Sequence, residues 1–388
     1  MLGLIFCTIL DSFIISVGIK NDYKGIIMLT AQAVIDIDAL QHNFQFLQSK
    51  EPGAKVIAVI KANAYGHGAV KFAKALPQAD AFAVSRIQEA IELREAGITH
   101  PILLLEGCFC SEELQRAAEL EFHTIIHNQR QLQELEQADL SKPLQVWLKV
   151  DTGMHRLGVL PEQVDDYYQR IQASENAKSE IGFASHFNCA DELDSDVTVQ
   201  QIATFEQATK GYSSPKSLSN SAGVLHWPDA HYDWMRPGIA LYGIAPRVES
   251  TGKAEGLRPV MTLKSKLISV RKHKKGEAVG YGKNWTASQD TCIGVVAMGY
   301  GDGYPRTAQN GTPVLINGRR ASLVGNVSMD MITVDLGPDA SDQVGDEVIF
   351  WGEDLPVEEV ALHMGTLAYE LVIKLTPRVK KSYIGSEA

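Results

Sequence analysis

From Val56 onward, the chain repeats one pattern: a short apolar run followed by a segment whose apolar residues have helical spacing. The runs "VIAVIKA" and "AFAVS" precede "HGAVKFAKAL" and "RIQEAIELREAG", and the series closes with "RPGIALYG", which ends at Gly243. Continuous apolar strands that alternate with helices predict a parallel sheet covered on both faces. About eight such units predict a (β/α)8 barrel, in which functional residues gather at the carboxyl ends of the strands.

The sequence changes character after Pro246. Stretches such as "TCIGVVAMGYGDGY" and "VGDEVIFWG" alternate or run apolar over short lengths, with turn signals between them. A chain of 388 residues is also long for one core, so two domains are expected. We therefore predict an α/β fold with a (β/α)8 TIM-type barrel over residues 28–255 and a mostly-β domain over residues 256–388.

The first 27 residues do not fit either domain. They are apolar enough to suggest a signal peptide or membrane anchor, but no positive residue precedes the apolar stretch, and Asp11 interrupts it. Met28 begins "MLTAQAVIDIDAL", which is a sensible start for a globular domain. We interpret residues 1–27 as an upstream extension that need not be translated, with a signal-anchor as the alternative.

Charge and cysteine content narrow the classes of function. The net charge of −11, without a long basic run, argues against nucleic acid or an anionic membrane as a partner. The five cysteines are odd in number and irregularly spaced, which fits neither a disulfide scaffold nor a zinc site. A reducing compartment follows, so we expect the protein to be cytoplasmic.

Polar residues stand at or just past the ends of five predicted strands: Lys61, Lys149, His186, Ser221 and Arg236. Lysine is rarely buried unless its charge is used or neutralised, although Lys61 alone could extend its ammonium to water from a strand end. His186 alone would more often be a satisfied core histidine. Together, the five predict a site at the barrel mouth.

The motifs around these residues resemble those of the alanine racemases, fold-type III enzymes that use pyridoxal 5'-phosphate (PLP). In chain order they are "VIKANAYGHG", "LKVDTGMHRLG", "SHFNCADE", "NSAG", "MRPGIALYG", "VGYG", "GYGDGYPR", "VSMDMITVDL" and "AYEL". The resemblance runs from about Ala31 to Val379 and covers both predicted domains.

This resemblance implies an isomerase that interconverts L-alanine and D-alanine and supplies D-alanine for peptidoglycan. Lys61 would carry PLP as an internal aldimine and act as one base. Tyr281 matches the second base, which in the family reaches the PLP of the other subunit in a head-to-tail homodimer.

Further roles are implied residue by residue. The cofactor-binding residues would be Lys61, Tyr65, Arg156, His186, Ser221, Arg236, Gly238, Ile239 and Tyr369. The substrate-binding residues would be Arg156, Tyr300, Met329 and Asp330. Arg236 would face the pyridine nitrogen and, as a pure donor, leave it unprotonated. Lys149 matches a lysine that is carbamylated in many members, and no metal is implied.

One departure and three alternatives stay open. Asn326 and Ser328 stand where several members have arginine and cysteine, which affects the outer gate more than catalysis. The alternatives are a broad-specificity amino-acid racemase on the same scaffold, a PLP-dependent decarboxylase of this fold type, and a non-catalytic PLP-binding protein. The "VGYG" and "VSMD" segments count against the decarboxylase, and the large β domain counts against the non-catalytic protein.

Overall fold

The computed structural model describes residues 30–386, so the interpretation of residues 1–27 lies outside the described part. The helices are α1 (Ile37–Gln48), α2 (Lys61–Tyr65), α3 (Ala69–Ala75), α4 (Ile87–Glu95), α5 (Ser111–Glu119), α6 (Gln129–Gln137), α7 (Val164–Ala173), α8 (Val197–Ala208), α9 (Ser221–His226), α10 (Val357–Met364) and α11 (Ala368–Ile373). Among the described residues, no helix has both the length and the apolar composition needed to span a bilayer.

The predicted barrel is confirmed by an eight-stranded parallel sheet that nearly closes. Its strands are β2 (Lys55–Val59), β3 (Ala81–Val84), β4 (Ile102–Leu104), β5 (His123–Ile126), β6 (Gln145–Lys149), β7 (Gly182–Ala184), β8 (Lys216–Ser217) and β9 (Trp234–Met235). They lie in the order β8-β7-β6-β5-β4-β3-β2-β9. A side-chain hydrogen bond links the two end strands: the Ser217 hydroxyl donates to the Trp234 carbonyl over 2.7 Å. Most residues of these strands are buried, which explains the continuous apolar runs.

A second, mainly antiparallel sheet confirms the predicted β-rich domain. Its strands are β1 (Gln32–Asp36), β10 (Met261–His273), β11 (Thr291–Val296), β12 (Pro313–Ile316), β13 (Arg319–Leu323), β14 (Ile332–Gly337), β15 (Glu347–Trp351) and β16 (Lys380–Ile384). They follow the order β11-β14-β13-β12-β15-β10-β1-β16, and β11 also pairs with β10.

Strand β1 belongs to this second sheet although it precedes the barrel in the chain. It pairs antiparallel with β10 and parallel with β16. The prediction that assigned residues 28–255 to the barrel did not include this crossover. In chain order the barrel therefore lies between β1 and β10, which are neighbouring strands of the second sheet.

Aspartate or asparagine side chains cap the first turns of three helices. Asp36 and Asn128 each accept a hydrogen bond from a first-turn amide, at 3.0 Å from Ala39 N and 2.9 Å from Gln131 N. Asn220 caps α9 in the same way through Gly223 N. This last cap fixes the start of α9, where Ser221 faces the mouth of the barrel.

Candidate active site

A cavity of about 750 Å³ opens at the carboxyl ends of the barrel strands. Its lining includes Lys61, Tyr65, Glu106, Lys149, Arg156, His186, Ser221, Arg236, Gly238, Ile239 and Tyr369. The structure thus brings together every cofactor-binding residue that the motifs predicted, together with Lys149. We call this space the barrel-mouth cavity.

Lys61 begins a left-handed turn, the Lys61 turn (Lys61–Tyr65), rather than an ordinary right-handed helix. Ala62, Asn63, Ala64 and Tyr65 all have φ near +50°. For residues with a Cβ, this conformation costs roughly 1–2 kcal/mol each. Surrounding bonds must therefore hold the turn in place.

Four side-chain hydrogen bonds brace the turn. The Ala62 amide donates to Glu89 Oε1 over 2.5 Å, and the Asn63 side chain accepts from the Ala69 amide over 2.8 Å. His67 Nδ1 lies 3.1 Å from the Ala64 carbonyl and 2.9 Å from the Tyr65 carbonyl. Because carbonyls only accept, His67 carries its proton on Nδ1. Burial also lowers the pKa of His67 to about 4, so the ring is neutral.

The Lys61 amine lies in an environment that disfavours its charge. Burial lowers its pKa, and the nearby Arg156 guanidinium lowers it further, while Glu106 and Glu89 act in the opposite direction. A larger fraction of the amine is therefore neutral and nucleophilic than at an exposed site.

Tyr65, Ser221, Gly238 and Tyr369 form one wall of the cavity. A Cβ on Gly238 would lie 2.8 Å from the Tyr65 hydroxyl oxygen, so only glycine allows this close approach. The Ser221 hydroxyl oxygen accepts from the amides of Gly238 and Ala240, at 2.9 and 3.2 Å. Burial raises the pKa of Tyr65 to about 12 and also raises that of Tyr369. Both phenols therefore stay protonated and can donate to an anion.

Arg236 is buried, with 6% of its surface exposed, and is fixed by acceptors on neighbouring strands. It donates to the Ser217 hydroxyl and the Ser185 carbonyl, both over 2.5 Å, and lies 3.5 Å from His186 Nδ1. Burial lowers the pKa of Arg236 to about 10, so it remains charged at neutral pH. Burial and the Arg236 charge hold the pKa of His186 well below its usual value, so His186 is a neutral acceptor.

Lys149 adds another cation to the same cavity. Burial is the largest cause that lowers its pKa to about 8, followed by the charges of Arg236, Arg156 and Lys61. Part of the Lys149 amine is therefore neutral near pH 8. The cavity as a whole is strongly electropositive, which suits anionic ligands.

The residues predicted from the β domain do not reach this cavity. Tyr281, Tyr300 and Met329 are exposed by 72%, 40% and 53% of their surfaces, and none of them lines the cavity. Asp330 is also exposed and pairs with Arg378 over 2.8 Å. Within one chain, the predicted site residues therefore fall into two separate groups.

Sequence reasoning missed two carboxylates. Glu89 accepts hydrogen bonds from the Ser85 and Arg86 amides at the start of α4, as well as from Ala62. The residue three before Glu89 is Arg86 rather than serine or threonine, so the sequence carries no capping-box signal here, and the bond from Ala62 to Glu89 leaves no trace in the sequence either. Glu106 lines the cavity and pairs with Arg86 over 2.5 Å.

Comparisons with known proteins agree with this geometry. The family model for the alanine racemase N-terminal domain matches residues 35–246, and that for the C-terminal domain matches residues 260–383. The alanine racemase of Vibrio cholerae is 54% identical over 359 residues, which cover 92% of this chain and 99% of that protein. That of Photobacterium profundum is 55% identical over 359 residues, which cover 92% of this chain and 100% of that protein.

Solved structures give the same result. The biosynthetic alanine racemase from Pseudomonas aeruginosa superposes with a TM-score of 0.90 at 45% identity, covering 92% of this chain and 100% of that one. The Acinetobacter baumannii alanine racemase gives 0.87 at 36% identity, covering the same shares of the two chains. The chain therefore belongs to the alanine racemase family of isomerases.

Proposed function

We propose that the protein interconverts L-alanine and D-alanine with PLP as its cofactor, using Lys61 and Tyr281 of the partner subunit as bases on opposite faces of the substrate. The observation that carries this proposal is the barrel-mouth cavity, where a half-buried lysine with a lowered pKa stands among groups that can bind an anion. The family membership reported above supports the same reaction.

The residues of the cavity fit PLP. The Tyr65 hydroxyl, which hydrogen-bonds to no other residue among those described, and Tyr369 and Ser221 would hold the phosphate. Gly238 and Ile239 would bring backbone amides to the same wall. Arg236 would donate to the ring nitrogen, with His186 behind it, and Arg156 would reach the phenolic oxygen. Bound PLP withdraws electrons from the substrate Cα and makes its hydrogen acidic.

Lys61 would move a proton at one face of the substrate Cα. Its amine is anchored at the end of β2, and the braced turn keeps it directed into the cavity. Because burial and Arg156 lower its pKa, a larger fraction of the amine is neutral and able to accept a proton than at an exposed lysine. We assign it the α-hydrogen of D-alanine.

Tyr281 would move the proton at the opposite face. One chain leaves this residue exposed and away from its own cavity, which supports a site that a second chain would complete. The same holds for Tyr300, Met329 and Asp330, which would approach the substrate carboxylate and the entrance. The cations of the cavity would favour the phenolate of a tyrosine that enters it. These observations support a homodimer with shared sites.

We further propose that Lys149 is carbamylated. The neutral Lys149 amine would attack the carbon of CO₂ and lose a proton, which leaves an anionic carbamate. The change relieves repulsion between Lys149 and the neighbouring Arg156 and Arg236.

The cysteine usage supports a cytoplasmic enzyme, whose D-alanine would supply peptidoglycan synthesis.

The test combines product analysis with cofactor mapping. Purified protein with PLP is incubated with L-alanine, D-alanine and a panel of other L-amino acids, and the enantiomers are separated. Borohydride reduction should fix PLP on the peptide that contains Lys61. Lys61→Ala should lose both the adduct and turnover, whereas Lys55→Ala, at the other end of β2, should keep both.

Three results would contradict the proposal. An adduct on a different lysine would overturn the assignment of Lys61. Equal turnover of many amino acids would favour the broad-specificity racemase, and loss of CO₂ from the substrate would favour a decarboxylase.

A further inference from the structure

Tyr281 stands at the tip of a hairpin-like loop, the Tyr281 tip (residues 280–284). The stem of the loop is closed by a bridge between Ala278 and Thr286 and by the Val279 amide, which donates to the Trp285 carbonyl over 3.1 Å. Within the tip, the glycines on either side of Tyr281 have φ values of +71° and +73°. The Tyr281 ring is 72% exposed, so packing within its own chain does little to fix it.

Asparagine side chains tie this tip to the neighbouring loop. Asn326 donates through Nδ2 to the Tyr281 carbonyl over 2.7 Å and accepts through Oδ1 from Asn284 over 2.6 Å. Asn310 donates to the Asn284 carbonyl over 3.1 Å and accepts from the Gly325 amide over 2.7 Å. We call Asn284, Asn310 and Asn326 the asparagine bracket. Among the described residues, its bonds are the hydrogen bonds that join the tip to another part of the chain.

We propose that Asn326 is a positioning residue for Tyr281 and sets how this tyrosine is presented to the substrate. The proposal rests on the proposed function, since it takes Tyr281 as the second base. Asn326 uses both ends of its amide, one as a donor and one as an acceptor. An arginine at this position could donate to the Tyr281 carbonyl but could not accept from Asn284. The bracket therefore depends on a side chain that has both a donor and an acceptor.

Proton transfer depends on sub-ångström placement of the base, so loss of one positioning bond should slow only the step that Tyr281 performs. The measurable step is exchange of the substrate α-hydrogen with deuterated solvent. Exchange from L-alanine reports Tyr281, and exchange from D-alanine reports Lys61. The effect of Asn326 should therefore be directional, whereas a general loss of stability would lower both rates.

The main experiment compares Asn326→Ala with the unaltered enzyme, both loaded with PLP. We expect exchange from L-alanine to fall by roughly three- to tenfold, which is the range for one net hydrogen bond. Exchange from D-alanine and the amount of PLP trapped by borohydride should be unchanged. Asn176→Ala is the matched control, because its amide donates to the Leu135 and Ala138 carbonyls far from the tip.

A second variant separates the hydrogen bond from the shape of the side chain. Asn326→Asp keeps the acceptor for Asn284 but places a carboxylate oxygen against the Tyr281 carbonyl. We expect it to lower exchange from L-alanine at least as much as Asn326→Ala does. Equal losses from both enantiomers, or an aspartate variant with unaltered L-alanine exchange, would overturn the role of Asn326.

A parallel measurement on Tyr281→Phe keeps this inference distinct from the proposed function. If that variant still exchanges the L-alanine hydrogen, the second-base assignment itself is wrong. If it loses this exchange and Asn326→Ala does not, only the positioning role is wrong.

Discussion

The Lys61 turn and the Tyr281 tip carry the two proposed bases, yet they are built in opposite ways. The Lys61 turn is strained, lines the barrel-mouth cavity and is braced by Glu89, Asn63 and His67. The Tyr281 tip is exposed, flanked by glycines and held by the asparagine bracket. Residues of the same chain fix the first group. The second group is presented outward, as expected for a residue that acts in another chain.

Tyr281→Phe should have the largest effect on activity, because it removes one of the two proposed bases. Without the phenol, one face of the substrate has no base, so racemisation should fall by about a thousandfold in both directions. Exchange of the D-alanine α-hydrogen with deuterated solvent should remain, because Lys61 is intact, and exchange from L-alanine should be lost. Mass spectrometry of recovered substrate measures both. Equal residual exchange from the two enantiomers would indicate a single mobile base.

Lys149→Met tests how much the positive charge of Lys149 in the barrel-mouth cavity destabilises the folded protein. Because burial lowers the pKa of Lys149 from 10.5 to about 8, protonated Lys149 destabilises the folded state fully below about pH 8. The variant should gain at most about 3 kcal/mol in free energy of unfolding at pH 7, and the gain should vanish as the pH rises towards 10.5. Denaturant titrations in CO₂-free buffer measure this.

Bicarbonate provides the control for this prediction. If Lys149 forms a carbamate, the unaltered protein becomes more stable in bicarbonate, so the advantage of the variant should shrink. A variant that is less stable than the unaltered protein in CO₂-free buffer at pH 7 would show that the Lys149 ammonium does not destabilise the folded state.

Glu89→Gln should loosen the Lys61 turn with a smaller effect. The carboxylate accepts from the Ala62, Ser85 and Arg86 amides, and an amide side chain offers only one oxygen. We expect a loss of about 1–2 kcal/mol in free energy of unfolding. Glu92→Gln, on the exposed side of the same helix, is the control and should change little. An equal loss in both variants would show that the hydrogen bond from the Ala62 amide to Glu89 does not itself contribute to stability.

Mixing two inactive variants should restore only part of the activity, and it tests the separation of the two groups directly. Lys61→Ala and Tyr281→Phe chains are each inactive, but a dimer of one of each contains one complete site. Random exchange between equal amounts should restore about a quarter of the unaltered activity, since half of the dimers carry one intact site out of two. Exchange followed by mass spectrometry must accompany the assay. Confirmed exchange without activity would contradict a shared site.

The sequence predicted the barrel and the cavity at its mouth, because the spacing of apolar residues and the ends of apolar runs can be read from residues that are neighbours in the chain. Lys61, Lys149, His186, Ser221 and Arg236 share one cavity, as their positions after apolar runs indicated. The pairing of β1 with β10 and β16 could not be read, since the run "QAVID" looks the same in either sheet.

Other features depend on contacts between distant residues. The left-handed conformation of the Lys61 turn was not predicted, because alanines at φ near +50° contradict their own preference and survive only through tertiary bonds. The bond from Ala62 to Glu89 and the asparagine bracket likewise join parts of the chain whose proximity only the fold creates.

The parallel pairing of β1 with β16 has a consequence for how the protein is made. Tyr383, on β16, donates to the His67 carbonyl beside the Lys61 turn, across a separation of 316 residues. At a synthesis rate of about 5–20 residues per second, the ribosome needs roughly 15–60 s to travel between the two. The barrel can therefore begin to collapse during translation, but the strand that contacts this turn is synthesised only after all the strands of the barrel. Lys61 is thus synthesised well before one of the contacts that hold its turn in place.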